Sequence, residues 1–379
     1  MARSRFSKFQ RAKKTTSSAP LNEGSSSDGL TCSVVSLSHE GRGVSKHNGK
    51  IRFIEGALPN EMVKARFISQ HAKFDELVVT EIIEGSPDRV PAPCAHFDTC
   101  GGCSLQHMDI VAQINHKQAA LKDQLTHFGK LSPVSWMEVM TSQTEAYRTK
   151  ARLGVFYDKK QKKVLLGFRE KRNKVITDIN HCLVLDARIS GRLLDFKSLV
   201  ASLSAPASTS HIEVAAGETA VALLFRQTSV LNDDDKSKLI AFAKQFSFDL
   251  YLQTGVKKGG MNSVTKLWPE DGVERLSYSL AYSELKSEPE LNLSFHPKDF
   301  TQVNRAMNRK MVLKALECLA LTNRDRVLDL FCGLGNFTLP IAKFAASVVG
   351  VEGSENMVQR AYENAETNGL DNVSFFASD

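Results

Sequence analysis

The chain has 379 residues, 42 % of them hydrophobic and 24 % charged, with a formal net charge of +7. That length supports two or three domains with cores of their own, and no run of 18 apolar residues offers a membrane span. Seven cysteines in a chain without an apolar leader point to reduced thiols or metal ligands rather than disulfides.

Residues 1–20 carry six basic side chains (Arg3, Arg5, Lys8, Arg11, Lys13, Lys14) and no acid. Without them the balance is 43 basic to 42 acidic, so the excess charge sits in this tail. It reads as a solvated tail, a phosphate-seeking arm or a mitochondrial transit peptide. The expected location is the cytoplasm. Residues 15–30 are rich in Ser, Gly and Thr and read as a linker.

Residues 31–85 alternate apolar and polar positions in short runs separated by turns such as Gly41-Arg-Gly43 and His47-Asn-Gly49. This pattern predicts a small all-β barrel, OB-like in kind, over 30–88. Arg42, Lys46, Arg52, Lys64, Arg66 and Lys73 are expected to decorate it. Barrels of this kind hold single-stranded nucleic acid on one face. The run from Gly41 to Val44, followed by Gly49-Lys-Ile-Arg-Phe-Ile54, resembles a TRAM domain, an RNA-binding barrel of RNA-modifying enzymes.

Cys94, Cys100 and Cys103 follow, the last two flanking Gly101-Gly102. Glycines let the backbone fold tightly around a metal. A fourth thiolate is needed, and Cys182 is the remaining cysteine of this middle region. Zinc and an iron–sulfur cluster take the same four ligands, and the spacing does not separate them. The spacing C-x3-C-x2-C of radical enzymes is absent.

Residues 109–130 predict an amphipathic helix capped by Asp109, with Ile110, Ile114, Leu121 and Leu125 on its apolar side. Residues 146–174 hold eleven Lys or Arg against Asp158 and Glu170. Alternation there predicts that Arg148, Lys150 and Arg152 share one strand face suited to phosphates. Lys159 to Lys163 reads as a hairpin turn. Strands over 211–226 and 248–255 surround a helix that follows the acidic stretch Asn232-Asp-Asp-Asp235. Residues 89–292 therefore read as an α+β domain.

A helix over 307–319 leads to the densest motif of the chain, Val327-Leu-Asp-Leu-Phe-Cys-Gly-Leu-Gly-Asn-Phe-Thr-Leu-Pro340. Val327, Leu328 and Leu330 predict a short buried strand, Gly333 and Gly335 a tight turn, and Asn336 onward a helix. Ser347 to Val351 predicts a second strand, with Glu352 at its tip. Strand, glycine turn, helix, strand and acid make one mononucleotide-binding half, in which the carboxylate accepts ribose hydroxyls. NAD and S-adenosylmethionine both use this geometry. Thr338 occupies the third glycine position of the NAD fingerprint, and Asp329 precedes the glycines, which favours S-adenosylmethionine.

The order of barrel, cysteine cluster, basic α+β domain, Phe300-Thr-Gln-Val-Asn304 and Asp329-Leu-Phe-Cys-Gly-Leu-Gly-Asn-Phe337 resembles the RNA uracil-C5 methyltransferases over about residues 30–379. Barrel and cluster together resemble the branch that modifies 23S ribosomal RNA. The resemblance implies a multidomain chain: a TRAM-like barrel, a central α+β domain with a [4Fe–4S] cluster, and a Rossmann-like α/β methyltransferase domain from residue 293. It implies Cys94, Cys100, Cys103 and Cys182 as cluster ligands. It implies Gln302, Phe331, Asn336, Glu352 and Asp379 as contacts to S-adenosylmethionine. The expected partner is 23S ribosomal RNA with a single-stranded or flipped uridine, bound by a monomer.

In that family a cysteine thiolate adds to C6 of uracil, which makes C5 nucleophilic enough to attack the sulfonium methyl. A glutamate then removes the C5 proton and the thiolate leaves. The Ser-Cys-Asn-Pro-type motif that carries the nucleophile is absent, as is the Asp-Pro-Pro/Ala-Arg strand end. Residues 324–379 are also too few for a six- or seven-stranded sheet. The sequence is therefore expected to be truncated at its C-terminus, with nucleophile and base beyond residue 379. Cys332, inside the turn, and Cys318, on an apolar helix, are not expected to substitute. The competing reading is a non-catalytic iron–sulfur module that binds RNA and senses redox state.

Overall fold

The computed structural model describes residues 29–255, 264–272, 274–282 and 290–378. The basic tail and Asp379 lie outside the described residues. The chain divides into two compact units, Met1–Arg89 and Val90–Asp379. Among the described residues no helix is long and apolar enough to cross a membrane.

The first unit is a six-stranded sheet of β1 (Leu30–Ser33), β2 (Ser36–Leu37), β3 (Gly43–His47), β4 (Lys50–Glu55), β5 (Met62–Gln70) and β6 (Phe74–Glu84), in the order β1-β5-β6-β4-β3-β2. Alternate residues point inward, so Cys32, Val34, Ile54, Val63, Ala65 and Leu77 form its core. The expected cationic decoration is thinner than the sequence suggests. Arg52 is buried, facing Asp75. Arg42 pairs with Glu40 and Glu76, and Lys64 with Glu81. Lys46, Arg66 and Lys73 remain exposed.

The first helix of the second unit is α1 (Ile110–Gln124), where two of the free first-turn N–H groups, of Val111 and Ala112, are capped by the Asp109 carboxylate at 2.9 and 3.3 Å. The apolar side foreseen for this helix is not buried. Ile110 and Leu121 are exposed and Ala112 alone of the helix is covered. Helical periodicity sets which residues share a face, not whether another element covers it.

Its central sheet contains β7 (Lys150–Asp158), β8 (Lys163–Gly167), β9 (Thr209–Ala216), β10 (Val221–Gln227), β11 (Phe248–Thr254) and β12 (Val264–Trp268). The order is β12-β11-β10-β9-β7-β8, with β10 and β11 parallel. One face, built from residues such as Leu153, Val155, Ile212, Val214, Leu223 and Phe225, packs on α3 (Leu193–Ser202) and α4 (Asp233–Phe246) through Phe196, Leu239 and Phe242. The short α2 (Ala187–Ser190) precedes α3. Asn232 caps α4, accepting from the Asp235 N–H at 2.7 Å, so the helix takes in the acidic residues instead of starting after them.

The other face of the sheet offers Ala215, Ala222, Leu224 and Tyr251 to a second core. That core includes the hairpin β13 (Leu276–Leu280) and β14 (Leu291–Phe295), and Val312 of α5 (Arg305–Leu319). It continues into Leu334 and Leu339 of the glycine turn region. Beyond α5 run β15 (Arg326–Leu330), α6 (Thr338–Ala342), β16 (Ser347–Glu352), α7 (Glu355–Thr367) and β17 (Val373–Ala377). The three strands are parallel, in the order β15-β16-β17. β15 is not the buried strand its composition predicts: Leu328 and Leu330 are 60 % and 57 % exposed. Among the described residues it pairs with β16 alone, so one edge has no strand beside it.

Candidate functional site

The glycine turn begins where β15 ends. Phe331 has φ +61° and is 89 % exposed. A bulky residue in the left-handed region costs on the order of 1–3 kcal/mol and marks a site where backbone is held for use. Gly333 and Gly335 follow at φ +58° and +92°. At Gly335 a Cβ would come within 2.9 Å of Leu339, so glycine is required there for space as well as conformation. Cys332 N–H donates to Val351 O at 3.1 Å, which ties the turn to β16.

Glu352 ends β16 and faces the turn. Its carboxylate accepts the Gly333 N–H at 3.1 Å and the Ser354 N–H at 3.3 Å. Each oxygen keeps a lone pair for further donors such as vicinal hydroxyls. Glycine at 350, one strand position back from Val351, is explained by crowding: a Cβ there would meet Phe375 at 2.6 Å and Cys332 Sγ at 2.9 Å.

Asn336 is fixed by three hydrogen bonds from two partners. Its Oδ1 accepts the Asn308 amide at 2.8 Å and the Tyr278 hydroxyl at 3.0 Å, while its Nδ2 donates to Asn308 Oδ1 at 2.9 Å. Asn364, 1 % exposed, donates to Leu334 O and Ser294 O at 3.2 and 3.1 Å, and so joins the turn to β14. Thr338, fully buried, donates to Asp329 Oδ2 at 2.6 Å. Burial raises the Asp329 pKa, and the Thr338 bonds partly offset this. Gln302 is exposed in the loop between β14 and α5. Sequence reasoning passed over Asn308, Tyr278 and Asn364. Their polar character inside apolar periods was the available signal, since a buried amide demands partners.

Cys332 is 5 % exposed, and burial followed by the Asp329 and Glu352 carboxylates pushes its thiol up to about 12. Such a thiol is not a nucleophile at neutral pH. Cys318 stands on the last turn of α5, with its sulfur 3.8 Å from that of Met137.

A second concentration of chemistry lies beside the central sheet. Cys94, Cys100, Cys103 and Cys182 line one cavity together with His96, His181 and Arg148. Burial first, and then the other three thiols, raise the Cys100 pKa. The Cys182 thiol is likewise raised by burial and then by Cys103 and Cys94. Gly102 N–H points at Cys100 Sγ at 3.4 Å. Gly101 cannot carry a side chain, because a Cβ would stand 2.8 Å from Arg169 O. Among the described residues no group of three His, Cys, Asp or Glu side chains forms a ready single-ion site. The thiols thus share a cavity without a closed coordination sphere. The donor set, four soft sulfurs in an apolar pocket with a directed N–H, suits zinc or an iron–sulfur cluster.

The expected cationic row is broken by the fold. Arg148 lies before β7, donates to Lys150 O at 3.1 Å and lines the cysteine cavity. Lys150 is turned inward, its ammonium on Asp299 O, and burial lowers its pKa. Arg152 is exposed, with Glu213 3.5 Å away.

A family model described as tRNA (uracil-5-)-methyltransferase matches residues 109–377. A 23S rRNA (uracil(1939)-C(5))-methyltransferase of Hahella chejuensis is 49 % identical over 352 residues, spanning 93 % of this chain and 77 % of that protein. Its counterpart from Alcanivorax borkumensis is 44 % identical over 92 % of this chain and 76 % of that protein. The tRNA (uracil-54, C5)-methyltransferase of Pyrococcus abyssi, solved with S-adenosyl-L-homocysteine, shares the fold: its TM-score is 0.67 at 21 % identity, over 92 % of this chain and 80 % of that one. By model and by relatives alike, the chain belongs to the (uracil-5-)-methyltransferase family.

Proposed function

We propose that the protein methylates C5 of a uridine in 23S ribosomal RNA, with S-adenosylmethionine as methyl donor. The observation that carries the donor assignment is Glu352, held across the glycine turn by the Gly333 N–H with lone pairs left for ribose hydroxyls. The target follows the relatives, two 23S rRNA uracil-C5 methyltransferases at 49 % and 44 % identity. S-adenosylmethionine supplies an electrophilic methyl. Glu352, Phe331, Gln302 and Asp379 are the residues that would hold it, with the Glu352 carboxylate as the acceptor for ribose hydroxyls. Asn336 fixes the turn through Asn308 and Tyr278. The thiol that adds to C6 is neither Cys332 nor Cys318.

We further propose that Cys94, Cys100, Cys103 and Cys182 hold a [4Fe–4S] cluster that ties the 94–103 segment to the 182 segment, and that residues 30–88 are a TRAM-like RNA-binding barrel. The shared cavity and the mutual influence of the thiols support the first, and the strand order with exposed Lys46, Arg66 and Lys73 supports the second. Deleting the gene from its host is expected to remove one 5-methyluridine from 23S ribosomal RNA. The wild-type gene restores it and a Glu352→Ala allele does not. An unchanged modification map in the deletion strain refutes the assignment.

A further inference from the structure

The face of the central sheet that carries the C-terminal lobe is covered only in part. Ala215, Ala222, Leu224 and Tyr251 are buried beneath that lobe, whereas the same face of β7 and the start of β9 stays open. There lies a cleft of about 680 Å³, lined by residues of β7, the β7–β8 turn, the 169–176 segment and the start of β9. That volume suits a small organic ligand or a nucleotide.

Its floor is Gly154, over which Ile176 packs: a Cβ on this glycine would lie 2.5 Å from Ile176 Cδ1. Phe156, two positions along the same face, is 55 % exposed in the middle of a well-formed strand. His211 sits directly opposite Gly154 in the strand register. Burial, then Arg152 and Arg169, lower its pKa, so a neutral imidazole ring faces the cleft.

Around these rings stand Lys159, Lys160, Arg169 and Lys174, all exposed and none in an ion pair among the described residues. The nearby acids are occupied. Asp158 caps the hairpin turn, accepting the Lys160 and Gln161 N–H groups at 2.8 and 3.2 Å. Glu213 lies between Arg152 and Arg226 at 3.5 and 3.6 Å. An ordinary solvated lysine face does not place a bare aromatic ring at its centre. Flat rings ringed by unpaired cations are the combination that binds unpaired nucleotides, the base on the ring and its phosphates on the rim.

We propose that this cleft is a second RNA-holding site, in which an unpaired base stacks on Phe156 while flanking phosphates meet Lys159, Lys160, Arg169 and Lys174. It rests on the proposed function only for the class of its ligand. It lies on the sheet face that carries the methyltransferase lobe.

The test uses the full chain and a labelled, mixed-sequence single-stranded RNA, with a duplex of the same sequence beside it, at several salt concentrations. Phe156→Ala is expected to weaken single-strand binding roughly 5- to 150-fold, the range for loss of one base stack. Duplex binding should not change, and Phe156→Trp should keep the wild-type affinity. Replacing the four cations by alanine should flatten the log–log salt slope by about 0.7 for each phosphate no longer neutralised. Phe156 is exposed, so an unchanged unfolding midpoint checks that its variants are folded. Unaltered single-strand affinity in Phe156→Ala overturns the site, and so does an equal loss on the duplex. A loss confined to the cation variant also overturns it, since the cleft is then a phosphate groove without a base platform. S-adenosylmethionine binding is measured on the same proteins. RNA binding through Phe156 without S-adenosylmethionine binding would sink the methyl-donor reading and leave this site standing.

Discussion

The side-chain amides of Asn308 and Asn336 pair with each other, at 2.8 Å in one direction and 2.9 Å in the other. One comes from the first turn of α5 and the other from the end of the glycine turn. The pair locks the helix that precedes β15 to the loop that follows it, and the Tyr278 hydroxyl seals it from the β13 side. Asn308→Leu leaves the Asn336 Nδ2 without this acceptor. We expect a stability loss of about 1–3 kcal/mol, read from urea unfolding, together with weaker S-adenosylmethionine binding. A destabilised variant with wild-type cofactor affinity would show that the pair serves only the fold.

Glu352→Ala removes the charged acceptor at the tip of β16. The cost in S-adenosylmethionine binding is about 1.5–3 kcal/mol, roughly 10- to 150-fold in Kd. Glu352→Gln should lose less, because a neutral oxygen still accepts. Calorimetric titration checks this, and equal affinities across the three proteins would remove the ribose role.

Protein purified without oxygen is expected to be brown and to contain about four irons per chain. Cys182→Ser should lose the iron and unfold at lower urea, since Cys182 is far in sequence from the other three thiols. A colourless protein with one zinc would replace the cluster by a structural zinc site.

His296 has its pKa lowered to about 4, by burial first and then by Arg360, Arg275, Lys298 and Lys150. Its Nδ1 accepts the Lys298 N–H at 3.2 Å, which suits the neutral ring. Between pH 6.5 and 4 the unfolded chain takes up a proton that the folded chain refuses. The neutral histidine's contribution is therefore complete above pH 6.5 and declines as pH falls to about 4. His296→Gln keeps a hydrogen-bond acceptor and cannot titrate. The gap in unfolding midpoint between pH 7 and pH 4.5 should be smaller in this variant than in the wild type.

Lys150 and Arg152 should part company under mutation. Lys150→Ala leaves Asp299 beside one fewer cation and empties a buried volume, so stability falls while the RNA salt slope holds. Arg152→Ala, on the surface, should leave stability within about 0.5 kcal/mol and reduce the slope by about 0.7 if Arg152 meets a phosphate. Equal effects on both readouts would restore the single cationic row.

The local grammar of the chain was readable without coordinates. Asp109 announces its helix because a short oxygen-bearing side chain satisfies free N–H groups wherever a helix starts. Gly333 and Gly335 announce a tight turn because positive φ is a local requirement, and Glu352 stands at the strand tip facing that turn. Nearness in space was not readable. Periodicity places Arg148, Lys150 and Arg152 in a row, but the approach of Asp299, 149 positions from Lys150, turns that lysine inward. Composition calls for a buried β15, yet Leu328 and Leu330 stay more than half exposed, since cover comes from other elements and not from the strand's own residues. The Asn308–Asn336 pair, the four-thiol cavity and the open ring of Phe156 each bring together segments far apart in sequence. A single sequence lists the groups that need partners, and only the folded chain decides which groups those partners are.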